Sequence, residues 1–381
     1  MSASRLLYVV TEDWFFLSHR LPMARAARKA GYEIHVACNV GTGAAAIEHE
    51  GFTLHPVKFA RGRLAPRAQI ATIRALRAVH RAVDPDLIHH VALQPSILGS
   101  LAALGGRAKC VNAVTGFGYT FASTTGKARM FKALMRPLLR WLLGRSDNVA
   151  LVQNPDDRAT LRSLGIAAER IVLIPGSGVD IAAFTPLPEP DPPIAVAFVG
   201  RLLDDKGIRV LVAAHRLLRH RRVPIALIIA GAPDPANPAS VPLREAESWN
   251  AEPGIVWLGQ VGDIASVWAR AHVAVLPARG GEGLPKSLLE AAACGRPMVA
   301  TDVPGCREIA IAGETALLVP PGDAAALAAA IETLAGAPEL RMRFGRAARA
   351  LVEERFAADK IGAAVVALYD RLLARRPRGR P

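Results

Sequence analysis

The sequence predicts an α/β protein made of two doubly wound, Rossmann-like parallel-sheet domains in series. Short apolar runs alternate with amphipathic helical patterns along the first half, a proline-rich stretch (FTPLPEPDPPI, Phe184 to Ile194) interrupts them, and the alternation then restarts. Buried strands separated by helices imply a parallel sheet covered on both faces. At 381 residues the chain is also too long for one ordinary core.

In order, RLLYVV, YEIHVAC, FTLHPV, DLIHHVA, KCVNAV, NVALVQ and RIVLIP read as the strands of the first domain, each a short apolar run of strand length. Helical patterns lie between most of them, such as Leu21 to Ala30 and Gln69 to Val83. The proline-rich stretch is a linker by composition. Beyond it AVAFVG, IALIIAG, GIVWLG, HVAVLP, PMVAT and TALLVP read as a second set of strands with helices between. Three helical patterns close the chain, Ala324 to Leu334, Pro338 to Arg355 and Asp359 to Arg375, before a short basic tail. The expected domains are 1–183 and 184–357, with 358–381 forming a last helix that returns to the first domain. Ligands of such sheets bind outside the carboxyl ends of the strands, which places the expected site in a cleft between two facing domains.

Half of the residues are apolar and few are aromatic, so the chain is globular. No run approaches the roughly eighteen apolar residues of a transmembrane helix. Arg5, Glu12 and Asp13 make the N-terminus a poor signal peptide. Cys38, Cys110, Cys294 and Cys306 are scattered without metal or redox spacing, which fits a reducing cytoplasm. The net charge of +14 is uneven: residues 1–185 hold 23 Lys+Arg against 12 Asp+Glu, the remainder 24 against 21. Between Asp86 and Asp147 there are eight basic residues and no acidic one. Within that window KARMFKALMRPLLRWLLGR (Lys127 to Arg145) is basic and amphipathic, with Lys132, Arg136 and Arg140 four residues apart. Such a helix suits an anionic lipid surface, and equally a solvated stripe on a domain. Nucleic acid is not expected, because no aromatic-interleaved or zinc-type motif accompanies the charge.

The chemistry concentrates in GGEGLPKSLLEAAACGRPMVATDVPG, Gly280 to Gly305. It reads as a Gly-rich loop, a Pro-started helix closed by Gly295 and Pro297, and a strand. Unpaired amides around Leu284 to Ser287 form an anion site. Pro285 has no N–H, so Gly283, Leu284 and Lys286 are the candidate donors. Glu290 lies five residues past Pro285, about 7.5 Å at ~1.5 Å per residue, which is the span from a diphosphate to a ribose. Its carboxylate can accept from ribose hydroxyls, while Glu282 in the loop faces the sugar end. A nucleotide-sugar fits this ruler. Each glutamate taken alone also reads as an exposed helix residue or a partner of the helix dipole. VGRLLDDKGI (Val199 to Ile208) supplies Arg201 and Lys206 after the strand-ending Gly200, two cations suited to a diphosphate leaving group. DDKG also reads as a plain surface turn.

These two motifs resemble retaining family 4 glycosyltransferases of the GT-B fold, with the E-x7-E signature at Glu282 and Glu290 and a G-R-x-x-x-x-K-G segment at Gly200 to Gly207. LIPGSGVDIAAFTP resembles the family's interdomain hinge, and WLGQVGDIASVWARAHVAVLPA the approach to its signature. The resemblance covers nearly the whole chain. It implies that Arg201 and Lys206 bind the diphosphate, Glu290 the ribose and Glu282 the donor sugar. Gly200, Gly281, Gly283, Leu284 and Lys286 complete the donor set, and no metal or other cofactor is implied. VTEDWFFLSHRLPMARAARKAGYEIHVAC and VNAVTGFGYTF look like a subgroup acting on polyprenyl-diphosphate-linked saccharides, as in O-antigen, lipopolysaccharide or capsule synthesis. That reading points to an enzyme peripheral on the inner face of the membrane.

For the acceptor the candidates are Glu12, His19 and Arg20 after the first strand, with Thr115 and Gly116 after the fifth. Arg20 can pair with an acceptor phosphate, or Ser18-His19-Arg20 can cap the next helix. Many family members carry a histidine after the fifth strand, where this chain reads Val114-Thr115-Gly116. Backbone groups of Thr115 and Gly116 can replace it. His89 and His90 are alternative bases or merely packed strand-end residues. The implied reaction moves a sugar, with a UDP-sugar as the favoured donor, retaining its anomeric configuration. The departing phosphate oxygen can take the acceptor proton without an enzymic base. A family member with a soluble acceptor is the nearest alternative. A nucleotide-sugar 2-epimerase-type isomerase and a non-enzymatic nucleotide-binding protein are more distant.

Overall fold

The structure is a computed structural model that describes residues 3–60, 66–114 and 126–374, with the side chains of 126–134 left aside. It divides into two compact units, residues 1–178 with 358–381, and residues 179–357. The division falls between Gly178 and Val179, ahead of the proline-rich stretch that suggested 183/184. Composition misplaces it because Val179 already donates its amide to the Phe356 carbonyl at 3.0 Å, and so belongs to the second unit.

Unit 1 holds seven parallel strands: β1 (Arg5–Glu12), β2 (Glu33–Asn39), β3 (Thr53–Pro56), β4 (Leu87–Val91), β5 (Lys109–Ala113), β6 (Asn148–Val152) and β7 (Ile171–Leu173). Their order is β3-β2-β1-β4-β5-β6-β7, so the direction of winding reverses between β1 and β4. All seven apolar runs form strands. β4 and β6 are buried along their whole length, which is why their sequences lack a polar-out alternation, with His89, His90 and Asn148 buried among the apolar residues. The C-terminal helix Ala358–Ala374 packs here through Ile361, Val365, Leu368 and Tyr369, which join the core formed by β1, β2 and the helix Leu21–Lys29. A short helix, Asp13–His19, escapes the periodicity; Asp13 is buried and accepts amide hydrogens from Gly41 (2.6 Å) and Gly43 (2.9 Å).

Unit 2 holds β8 (Ile194–Val199), β9 (Ile225–Ala230), β10 (Ile255–Trp257), β11 (Val273–Leu276), β12 (Met298–Thr301) and β13 (Ala316–Val319). The order is β10-β9-β8-β11-β12-β13, so winding reverses between β8 and β11. The helical pattern expected over 338–355 splits into the helix Pro338–Leu351 and a wider turn at Val352–Phe356. Among the described residues no helix is long and apolar enough to cross a membrane.

Candidate active site

In an open parallel sheet the crevice for a ligand opens where the winding reverses. In unit 2 that point lies between β8 and β11, the two strands that the chemistry-bearing motifs follow. The segment after β8 carries Gly200, Arg201 and Lys206; the segment after β11 carries Gly280 to Pro285. They meet in three ways. Arg279 donates its amide to the Asp205 carbonyl at 2.7 Å. Lys206 Nζ donates to Glu282 Oε1 as an ion pair. Gly207 packs so closely that a Cβ there would stand 1.9 Å from the Pro277 carbonyl oxygen. With φ at 73° the turn also needs a left-handed residue, so glycine is required twice over. Gly305 does the same on the other side, where a Cβ would lie 2.5 Å from the Gly283 carbonyl oxygen and 2.7 Å from that of Glu282.

Glu282 is 8% exposed and Glu290 5%, so neither is the exposed surface glutamate that it could be when read alone. The helix begins at Lys286 with Pro285 as its cap, and runs Lys286–Ala293. Its first-turn amides have no acceptor within the helix, as at any helix start. Lys286 adds a cation by its side chain, 3.2 Å from Glu290 Oε1 one turn on. Burial raises the Glu290 carboxyl above its ordinary range, with Lys286 pulling it back. Arg201, 38% exposed at its side chain, pairs with Asp234 Oδ2 at 2.8 Å. The two cations are therefore held by different acids, Lys206 by Glu282 and Arg201 by Asp234.

Asp234 was not legible beforehand. It sits in GAPDPANPAS after β9, a turn-rich stretch without diagnostic spacing, and its amide donates to Ser240 Oγ at 2.9 Å. The Trp257 indole N–H donates to the Gly231 carbonyl at 2.8 Å and braces the loop after β9. Cys306 is fully buried near Glu282, and burial pushes its thiol well up, which makes it inert.

In unit 1 the acceptor candidates separate. Glu12 ends β1 and accepts from Asn39 Nδ2 at 2.9 Å. His19 is half-buried, with Ser18 Oγ 2.5 Å from its Nδ1 and Phe15 stacked on its ring at 4.2 Å. Arg20 is a correction to the phosphate-pairing expectation, for it is 2% exposed, and burial brings its guanidinium down to about 10. It donates to the His19 carbonyl at 3.2 Å and lies against Met23, Tyr8 and Tyr369 in the core. Its position caps the helix Leu21–Lys29, without a side-chain cap bond. His89 and His90 are fully buried and packed: His89 Nδ1 meets Tyr369 Oη at 2.5 Å, and His90 Nδ1 meets Asn112 Oδ1 at 2.9 Å. Burial holds both imidazoles neutral, His90 down to about 3, so neither is a base for chemistry in solvent reach. Thr115 and Gly116 lie outside the described residues.

Residues 193–336 match the family model described as glycosyl transferases group 1, and residues 5–154 the one described as glycosyl transferase 4-like. The phosphatidyl-myo-inositol mannosyltransferase of Mycolicibacterium smegmatis is 31% identical over 82% of this chain and 79% of its own length. The chain belongs to the family 4 glycosyltransferases. A further relative of this glycosyltransferase is the N,N'-diacetylbacillosaminyl-diphospho-undecaprenol alpha-1,3-N-acetylgalactosaminyltransferase of Campylobacter jejuni, 24% identical over 77% of this chain and 81% of its own. Among solved structures, the sucrose-phosphate synthase of Thermosynechococcus elongatus superposes with a TM-score of 0.79 at 22% identity, covering 98% of this chain and 100% of that one. HepE of Anabaena in complex with UDP-glucose gives 0.76 at 18%, covering 96% and 99%. The fold of this glycosyltransferase is therefore GT-B.

Proposed function

We propose that this enzyme transfers a sugar from a nucleotide diphosphate donor, UDP-linked by preference, to a polyprenyl-diphosphate-linked saccharide, with retention at the anomeric carbon. The observation that carries the donor assignment is the meeting of Lys206 and Glu282 beside the start of the helix that bears Glu290. In this reading Arg201 and Lys206 exchange their carboxylate partners for the diphosphate, the helix amides hold its oxygens, and Glu290 accepts from the ribose. Glu282, released from Lys206, accepts from a sugar hydroxyl. The bond from the anomeric carbon to the β-phosphate oxygen breaks, and the acceptor oxygen bonds to that carbon on the same face. The hydroxyl proton passes to the departing phosphate. The burial of His89 and His90 fits a reaction without an enzymic base. Charge neutralisation is assigned to protein cations and amides rather than to a metal cofactor.

The donor preference is supported by the Anabaena neighbour, whose structure holds UDP-glucose. The acceptor class is supported by the Campylobacter relative, whose name carries diphospho-undecaprenol, and by the capsular polysaccharide biosynthesis glycosyltransferase CapM of Staphylococcus aureus, 28% identical over 47% of this chain. A peripheral location on an anionic membrane is supported by the helix Gly126–Leu143, where Arg136 and Arg140 are exposed and Trp141 is 51% exposed. A tryptophan beside arginines suits the headgroup level.

The test is a screen of UDP- and GDP-sugars against membrane extract, with mass analysis of the lipid product. A labelled lipid-linked saccharide is expected; transfer only to soluble saccharides, or donor turnover without any acceptor, would overturn the acceptor assignment. Lys206→Ala is expected to lower kcat by about 10²–10³, with a far smaller effect on melting. Unchanged kcat would sink the donor site.

A further inference from the structure

We propose that unit 1 carries a second anion-binding site, an arginine-walled pocket at the amino ends of β4 and β5 that takes a small phosphate-bearing ligand. The cavity measures about 810 Å³, within the usual range for small-molecule sites. Arg74, Arg77 and Arg81 line it from the helix Pro66–Val83, and Arg107 faces them from the turn that leads into β5. Ile88 contributes to an apolar floor. β4 separates this pocket from the carboxyl edge of the sheet, where Glu12 lies, by its own length of about 17 Å at ~3.3 Å per residue. It is a different place from the acceptor candidates, and it stands whether or not the donor assignment above does.

Structure alone gives no reason for this grouping. Arg74, Arg77 and Arg81 fall on one helix face, three and four residues apart, and like charges at that spacing weaken a helix. The helix dipole favours a cation only in the last turn. That accounts for Arg81, and not for Arg74, Arg77 or Arg107. Some exposed arginines of this chain have acid partners, such as Arg25 with Glu50, Arg216 with Glu252 and Arg221 with Glu332. Among the described residues none of the four pocket arginines forms an ion pair, and Asp84 is the single acid in the wall. Arg77 Nη2 reaches the Leu101 carbonyl at 3.4 Å, which turns its guanidinium across the gap between two helices. Burial pushes the His80 imidazole down to about 4, so it lines the pocket uncharged.

Four arginines lining one concave space match phosphate oxygens, which accept paired N–H bonds from the planar fork. A monocarboxylate would neutralise one of them; a diphosphate, or a lipid headgroup bearing phosphate, answers the net charge of the wall. Ligand binding would relieve the mutual repulsion of the four arginines.

Because unit 2 is itself assigned a diphosphate site, the full chain carrying Arg201→Ala and Lys206→Ala is the reference protein. Inorganic pyrophosphate is titrated into it calorimetrically, and then into the same chain with Arg77→Ala and Arg81→Ala added. All four positions are at least partly exposed, so melting curves are expected to agree within a few degrees. The expected result is measurable binding in the reference and a weakening of about tenfold or more in the pocket variant. Arg216→Ala in the reference is expected to change affinity less than about twofold. No pyrophosphate binding by the reference, or equal binding by the pocket variant, would overturn the proposal. A second arm identifies the source of the phosphate by sedimentation with phosphatidylglycerol-containing vesicles. Vesicle binding that is lost with Arg77 and Arg81, and competed by pyrophosphate, supports the site with a lipid headgroup as occupant. Vesicle binding indifferent to those residues, alongside arginine-dependent pyrophosphate binding, supports it with a soluble phosphate.

Discussion

Replacing Gly207 by alanine would set a Cβ 1.9 Å from the Pro277 carbonyl oxygen, at a residue whose φ is 73°. Real Cβ atoms do not approach closer than 3.0 Å, so the turn after β8 and the loop after β11 must part by about 1.1 Å (3.0 − 1.9). Two costs add. A left-handed non-glycine residue costs roughly 1–2 kcal/mol, and overpacking against a fixed carbonyl costs about 1–3 kcal/mol. Together they come to about 2–5 kcal/mol, or a fall in Tm of about 4–20 °C for a unit of this size. The control is Gly313→Ala, where φ is 75° and nothing lies within 4 Å of the added Cβ. It incurs the backbone cost alone, about 2–8 °C. The separation also moves Lys206 relative to Glu282 by the same ångström, and misplacements of that size cost about 100-fold in rate. Thermal unfolding and kcat/KM with the donor that emerges from the screen measure both. If Gly207→Ala melts with Gly313→Ala and keeps its turnover, the close packing of turn on loop does not hold the site together.

Two further variants test the titrating and buried groups. Burial raises the Glu290 carboxyl, so the folded protein holds that proton more tightly than the unfolded chain does. The resulting destabilisation is absent below the ordinary carboxyl range and grows as pH rises through it; thermal melts should show Glu290→Gln gaining on the wild type from acid to neutral pH. The same variant should bind UDP more weakly by about tenfold or more, the loss of a charged hydrogen-bond acceptor. Arg20 is buried, with no carboxylate partner among the described residues, so Arg20→Met is expected to be neutral or stabilising, by up to about 1–4 kcal/mol. Its KM for a lipid-linked acceptor should stay within about twofold of the wild type; a large rise in KM would return Arg20 to the acceptor site.

Much of this enzyme is legible without coordinates. All thirteen strands are visible as short, largely apolar runs, because parallel strands covered on both faces are built mainly of apolar residues. Glu282, Glu290, Arg201 and Lys206 are visible because their spacing follows a rigid ruler, a helix start and a strand end, that the chain writes locally. The helix Asp13–His19 is not, since what makes it is the buried Asp13 carboxylate receiving amides from Gly41 and Gly43, residues well downstream. Nor is Arg20, whose type suggests a phosphate ligand and whose surroundings of Tyr8, Met23 and Tyr369 put it in the core.

By itself, then, the sequence determined the strands, their alternation with helices, and which residue types stand at the strand ends. Those are short-range properties, set by periodicity and by the geometry of one turn or one helix. The tertiary structure alone decided which charges face each other: Lys206 with Glu282, Arg201 with Asp234, and four arginines around one pocket with Asp84 as the single acid in its wall. Pairings of that kind join positions tens of residues apart, and only the folded sheet, by bringing the loops after β8, β9 and β11 to one edge, brings the charges within a few ångströms of one another.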